Sequence, residues 1–168
     1  MRKSLDALYT ASGWLAGLCM IGVLLMVVLT ILGRVFNFSV HGADAYAGYT
    51  MAGAGFLALA STLKHGEHIR VTLLLSMTRG RGRRAMELAA LLVAVILSGF
   101  LALYAIRLAW QSWLYQDIST GLDATPLWIP QISMILGTLI FFIAFLDEFC
   151  LELLGRRHKD AAEEPHHE

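Results

Sequence analysis

Four long stretches of this chain contain no Asp, Glu, Lys or Arg: Ala7–Gly33, Ala45–Leu63, Leu88–Ile106 and Ala124–Leu146, of 27, 19, 19 and 23 residues. At about 1.5 Å of rise per residue, about 20 apolar residues cross a hydrocarbon core of about 30 Å. A Lys, Arg or Asp in the middle of such a helix costs about 2.5–3.5 kcal/mol on insertion. Of the 168 residues, 57% are hydrophobic, which leaves too little polar side chain to clothe a soluble domain of this length. The pattern predicts an all-α integral membrane four-helix bundle. Its transmembrane helices are expected over 12–34, 43–63, 86–110 and 126–151, inside one membrane domain (1–160) followed by a disordered tail (161–168).

Net charge is zero, but the charges are segregated, and the segregation sets an expected orientation. Arg2 and Lys3 precede the first run. Lys64, Arg70, Arg79, Arg81, Arg83 and Arg84 lie between the second and third, and Arg156, Arg157 and Lys159 follow the fourth. The opposite side carries only Arg34 and Arg107, each at a helix end where a long side chain can snorkel. Eleven basic residues against two predict, by the positive-inside rule, that both termini are cytoplasmic. Trp110, Trp113, Tyr115 and Trp128 would then form an aromatic belt on the outer face, with Tyr9 and Trp14 on the inner one. The first run far exceeds the apolar core of about 7–15 residues in a signal peptide, so it is expected to stay as an uncleaved helix.

Between the second and third runs, Ile69, Leu73 and Met77 recur every four residues with Leu74 beside them, the pattern of an amphipathic segment lying on a membrane surface. The run Arg79–Arg84, with its four arginines Arg79, Arg81, Arg83 and Arg84, suits anionic lipid headgroups. A cytoplasmic membrane loop accounts for that run without any nucleic acid. Thr125 before Pro126 reads as a helix N-cap with proline at the first helical position. Gly13/Gly17, Gly48/Ala52 and Ala54/Ala58 have the four-residue spacing that lets helix backbones approach in a membrane.

Several functions fail on what the chain lacks. Cys19 and Cys150 have no metal-ligand or disulfide spacing and read as packing residues. No GxxxxGK[ST] phosphate loop occurs. His41, His65, His68 and His158 all lie outside the apolar runs, so no histidine pair can hold a haem between helices. An autonomous ion-coupled carrier needs ionisable groups near the bilayer midplane. The midplane here has only hydroxyls such as Thr50, Ser98 and Thr138, while Glu87, Asp147, Glu148 and Glu152 sit towards helix ends. Neither a nucleophile–base constellation nor another catalytic arrangement is evident. The residues therefore describe a protein that anchors, orients or completes a larger membrane complex, and not an enzyme.

Two short motifs narrow this reading. Lys64-His65-Gly66-Glu67-His68-Ile69-Arg70-Val71 follows the second run, and Leu127-Trp128-Ile129-Pro130 enters the fourth, with Gly137 inside it. Together with the four-helix plan, they resemble the small membrane subunit of the tripartite ATP-independent periplasmic (TRAP) transporters, the DctQ type, over roughly residues 5–155. The resemblance implies a multi-pass protein of the bacterial inner (cytoplasmic) membrane that packs against a large transport subunit and braces it. A periplasmic binding protein would deliver an organic acid, and sodium and substrate sites would lie in the large subunit, with no cofactor in this chain. His68 and Arg70 would touch headgroups or the large subunit, or else belong to a solvated loop. Asp117, Asp123 and Trp128 would face the periplasm, either touching the binding protein or forming an ordinary interfacial loop. A stand-alone small channel or exporter, and the membrane anchor of another complex, are the alternatives.

Overall fold

A computed structural model describes residues 2–38, 40, 42–64, 81–121 and 123–154. They form four α-helices in chain order: α1 (Arg2–Phe36), α2 (Ala43–Lys64), α3 (Arg81–Leu114) and α4 (Trp128–Leu153). The amphipathic segment expected around Ile69–Met77, and with it His68, Arg70 and Arg79, lies outside the described residues, as does the tail. Arg81, Arg83 and Arg84 fall in the first turn of α3, so most of the basic run belongs to a helix rather than to the connection before it.

Among the described residues, three helical segments are long and apolar enough to cross a membrane: Leu5–Phe36, Ala85–Leu114 and Trp128–Leu153. The fourth expected span does form a helix, the 22-residue α2. It is not among those three because alanine, glycine, serine and threonine make up much of its length. The same small side chains let α2 pack between α1 and α4.

The helices pair as two hairpins. α1 packs along α2, α3 packs along α4, and the hairpins meet through α2 and α4, while α1 only grazes α4. The four helices thus form an open row in the order α1, α2, α4, α3 rather than a bundle closed around one core. Interior residues are accordingly small. α3 turns Ser98, Ala102, Ala105, Ala109 and Ser112 inward at alternating four- and three-residue spacing, one face of a helix. α1 does the same with Tyr9, Ser12 and Ala16.

The closest approach joins the hairpins. A Cβ on Gly137 of α4 would overlap the backbone carbonyl group of Phe56 in α2, so only glycine fits. Gly13 is similarly close to Ser61, 2.8 Å from a built Cβ to the hydroxyl. The other half of that expected pair behaves differently: Gly17 and Gly48 face open space, and Ala52 is exposed. Small-residue spacing therefore marks helices able to approach, and shape alone decides which glycines are used.

Helix ends follow local rules. α1 stops at Asn37, whose φ of 57° is left-handed, and the Phe38 amide reaches back to the Gly33 carbonyl at 2.9 Å, a Schellman closure. α3 stops the same way on Gln116 at φ 53°, with the Asp117 amide on the Ser112 carbonyl at 2.9 Å. The expected Thr125 cap is corrected: α4 is preceded by Leu127, and no side chain caps it. The Leu127 amide instead donates to the Asp117 carbonyl at 2.9 Å, within a short antiparallel bridge between Ile118 and Pro126. Pro130 then sits in the first turn of α4, where a missing N–H breaks no helical hydrogen bond.

Candidate functional site

The α1–α2 and α3–α4 turns lie together at one end of the row, the loop end. The start of α1 and the finish of α4 lie together at the other, the terminal end, where Asp6, Tyr9, Asp147 and Glu148 line one pocket.

At the loop end, Asp123 is the centre of a polar cluster. Tyr49, from the second turn of α2, donates its hydroxyl to one carboxylate oxygen at 3.0 Å. Ser119 donates to the other at 2.8 Å. Thr125 also bonds the carboxylate, and its hydroxyl lies 3.2 Å from that of Tyr46. Tyr46 and Tyr49, one turn apart, meet edge to face with centroids 6.0 Å apart. The Ser119 amide closes the loop on the Thr125 carbonyl at 2.9 Å. Gly42 completes the fit: its φ is +81°, and a Cβ there would stand 2.8 Å from that of Asp123. Partial burial opposes ionisation of Asp123, but hydrogen bonds from Thr125, Ser119, Tyr49 and its own backbone amide outweigh it and hold the carboxyl down at about 2.

The other residues picked out at this end separate from Asp123. Asp117 is exposed, and Trp128 is half-buried at the start of α4. Of the expected outer belt, Trp110, Trp113 and Tyr115 are exposed, the two tryptophans 5.4 Å apart. Tyr49 and Tyr46 carry the cluster and were not singled out from sequence. Their only signal was a pair of hydroxyl-bearing aromatics one turn apart near a helix start.

At the terminal end, a pocket of about 250 Å³ is lined by Asp6, Tyr9, Leu63, Ala144, Asp147, Glu148 and Leu151. Tyr9 was expected in the inner aromatic belt, but it is 4% exposed and packs with Ala60 and Ala144 in the core. Trp14 does face outward. Glu152, one turn beyond Glu148, is buried.

Between the ends, the hydroxyls turn back on their own helices. Thr50 donates to the Tyr46 carbonyl at 2.9 Å, Ser98 to Val95 at 3.1 Å and Thr138 to Met134 at 2.8 Å. Such bonds satisfy these three hydroxyls locally. Among the described residues no group of three His, Cys, Asp or Glu side chains could hold a metal ion. Apolar side chains instead cover the flanks: only 6% of the most apolar window of α1 is buried.

The arrangement defines a class: a multi-pass helical membrane protein with broad apolar flanks, whose interior hydroxyls Thr50, Ser98 and Thr138 bond back to their own helices. The particular family follows from comparison. Residues 23–155 match the model of the family described as tripartite ATP-independent periplasmic transporters, DctQ component, and the chain belongs to that family. No curated protein matches the chain, and no solved structure does.

Proposed function

We propose that the chain is the small membrane subunit of a sodium-coupled transporter, bracing a large transport subunit during uptake of an organic acid. A periplasmic binding protein delivers that acid. In this reading all four helices cross the bacterial inner membrane, both termini are cytoplasmic, and the connection between α3 and α4 faces the periplasm. The family match over residues 23–155 carries the proposal. The inward turn of the interior hydroxyls supports it, because such a protein would leave ion and substrate sites to its partner. The flanks of α1 and α3 are broad enough for both lipid and a large partner, with Leu18, Leu25, Leu97 and Leu103 all exposed.

The test is reconstitution. Proteoliposomes holding this chain, its large membrane partner and the binding protein should take up the organic acid when a sodium gradient is imposed. Omitting this chain should lower uptake sharply, and this chain alone should give no flux. Flux from the chain alone would overturn the proposal and favour a small channel. Arg70→Ala should weaken uptake or assembly while leaving substrate preference unchanged; uptake equal to wild type would remove Arg70 from the partner- or lipid-binding role.

A further inference from the structure

We infer that Asp123 is the clasp that fixes the α3–α4 hairpin against the α1–α2 hairpin at the loop end. The inference is about how this chain holds its shape, and it adds to the transporter reading without depending on it. Among the described residues α2 and α3 do not pack on each other, and α4 lies between them; at the loop end the connection after α3 meets α2 directly. The connection after α3 supplies Asp123, Ser119 and Thr125, and the start of α2 supplies Tyr46 and Tyr49. Each carboxylate oxygen has a different donor: Tyr49 from one hairpin on the first, Ser119 from the other on the second. Gly42 brings the α2 start against the backbone of Asp123, 3.3 Å from a built Cβ to its Cα. A residue that served only as a surface charge would leave its oxygens to water. Here one oxygen is bonded across the hairpins by Tyr49 and the other within its own connection by Ser119.

Elsewhere the seam is close packing, with Gly137 against the Phe56 backbone and Ala60 and Ala144 around Tyr9, which resists separation but has little directionality. The clasp supplies direction. Losing it should free the connection while the Gly137 crossing keeps the hairpins in contact.

Hydrogen exchange on the full chain in lipid nanodiscs, with any co-purifying partner retained, tests this. The reporters are the Ser119 amide, bonded to Thr125, and the Leu127 amide, bonded to Asp117. Asp123→Ala should speed exchange at both by about tenfold or more, the range of one lost hydrogen bond to a charged group. Amides in the middle of α1 should not change. Tyr49→Phe, which removes one hydroxyl, should give a smaller rise at the same amides, and the double variant should fall short of the product of the two effects, because both cut one bond. Unchanged exchange in Asp123→Ala would overturn the clasp. If that variant loosened every helix, Tyr49→Phe would decide: a local rise supports the clasp, and no rise overturns it. Failure here leaves the transporter reading intact, since that reading is tested by uptake.

Discussion

The two ends of the seam between the hairpins are built differently. The loop end is knit by hydrogen bonds from Tyr49 and Ser119 to one carboxylate and by a glycine that admits the backbone beside it. The terminal end holds a pocket, with Asp6, Asp147 and Glu148 around the buried ring of Tyr9. Between them, Gly137 presses on Phe56. A seam of this kind has one end fixed in geometry and the other with room in it. At the loop end one carboxylate takes bonds from both hairpins; at the terminal end three carboxylates line a cavity.

The largest effect should come from the middle. Gly137→Val forces a side chain into the Phe56 backbone and should cost about 3 kcal/mol or more, read as early thermal unfolding in detergent. A normal melting temperature would mean the crossing is slack. Next, Gly42→Ala imposes a left-handed alanine, about 1–2 kcal/mol, besides crowding Asp123. It should therefore destabilise the loop end more than any alanine on the open face of α2.

Acid should weaken the loop end selectively. The Asp123 carboxyl is lowered in the folded chain to about 2, against about 3.9 when unfolded. Its stabilisation is therefore complete above about pH 4 and is lost as pH falls towards 2. The stability gap between wild type and Asp123→Asn should close over that window, and a gap constant down to pH 2 would contradict the hydrogen-bonded carboxylate. The smallest effect belongs to Gly17→Ala. Nothing lies within 4 Å of its added Cβ, so the gain in helix propensity, about 1 kcal/mol at most, should leave stability unchanged or slightly raised.

Much of the fold was legible because charge-free length is a strong signal. All four helices were expected, and three are apolar spans in the structure. Gly137 was noted as a small residue inside α4, and the structure gives the reason. The row order was not legible, since apolar pattern says which residues avoid water but not which helix they meet. Gly17 and Gly13 have the same local pattern and opposite surroundings. Tyr9 looked like a belt aromatic because its position near a helix end is all that sequence records; its burial depends on Ala60 and Ala144 far along the chain. Gln116 ends α3 in a conformation that usually announces itself with glycine or asparagine. Asp123 was singled out, but its partner in the other hairpin, Tyr49, is 74 residues away, and only the fold brings them together.

The most direct test of the account is affinity purification of the tagged chain from its native membranes in mild detergent, with identification of what co-elutes. The account predicts one large, many-helix membrane protein in near-equal amount, the partner against which the apolar flanks pack. Recovery of this chain alone, folded and oligomeric, would contradict it.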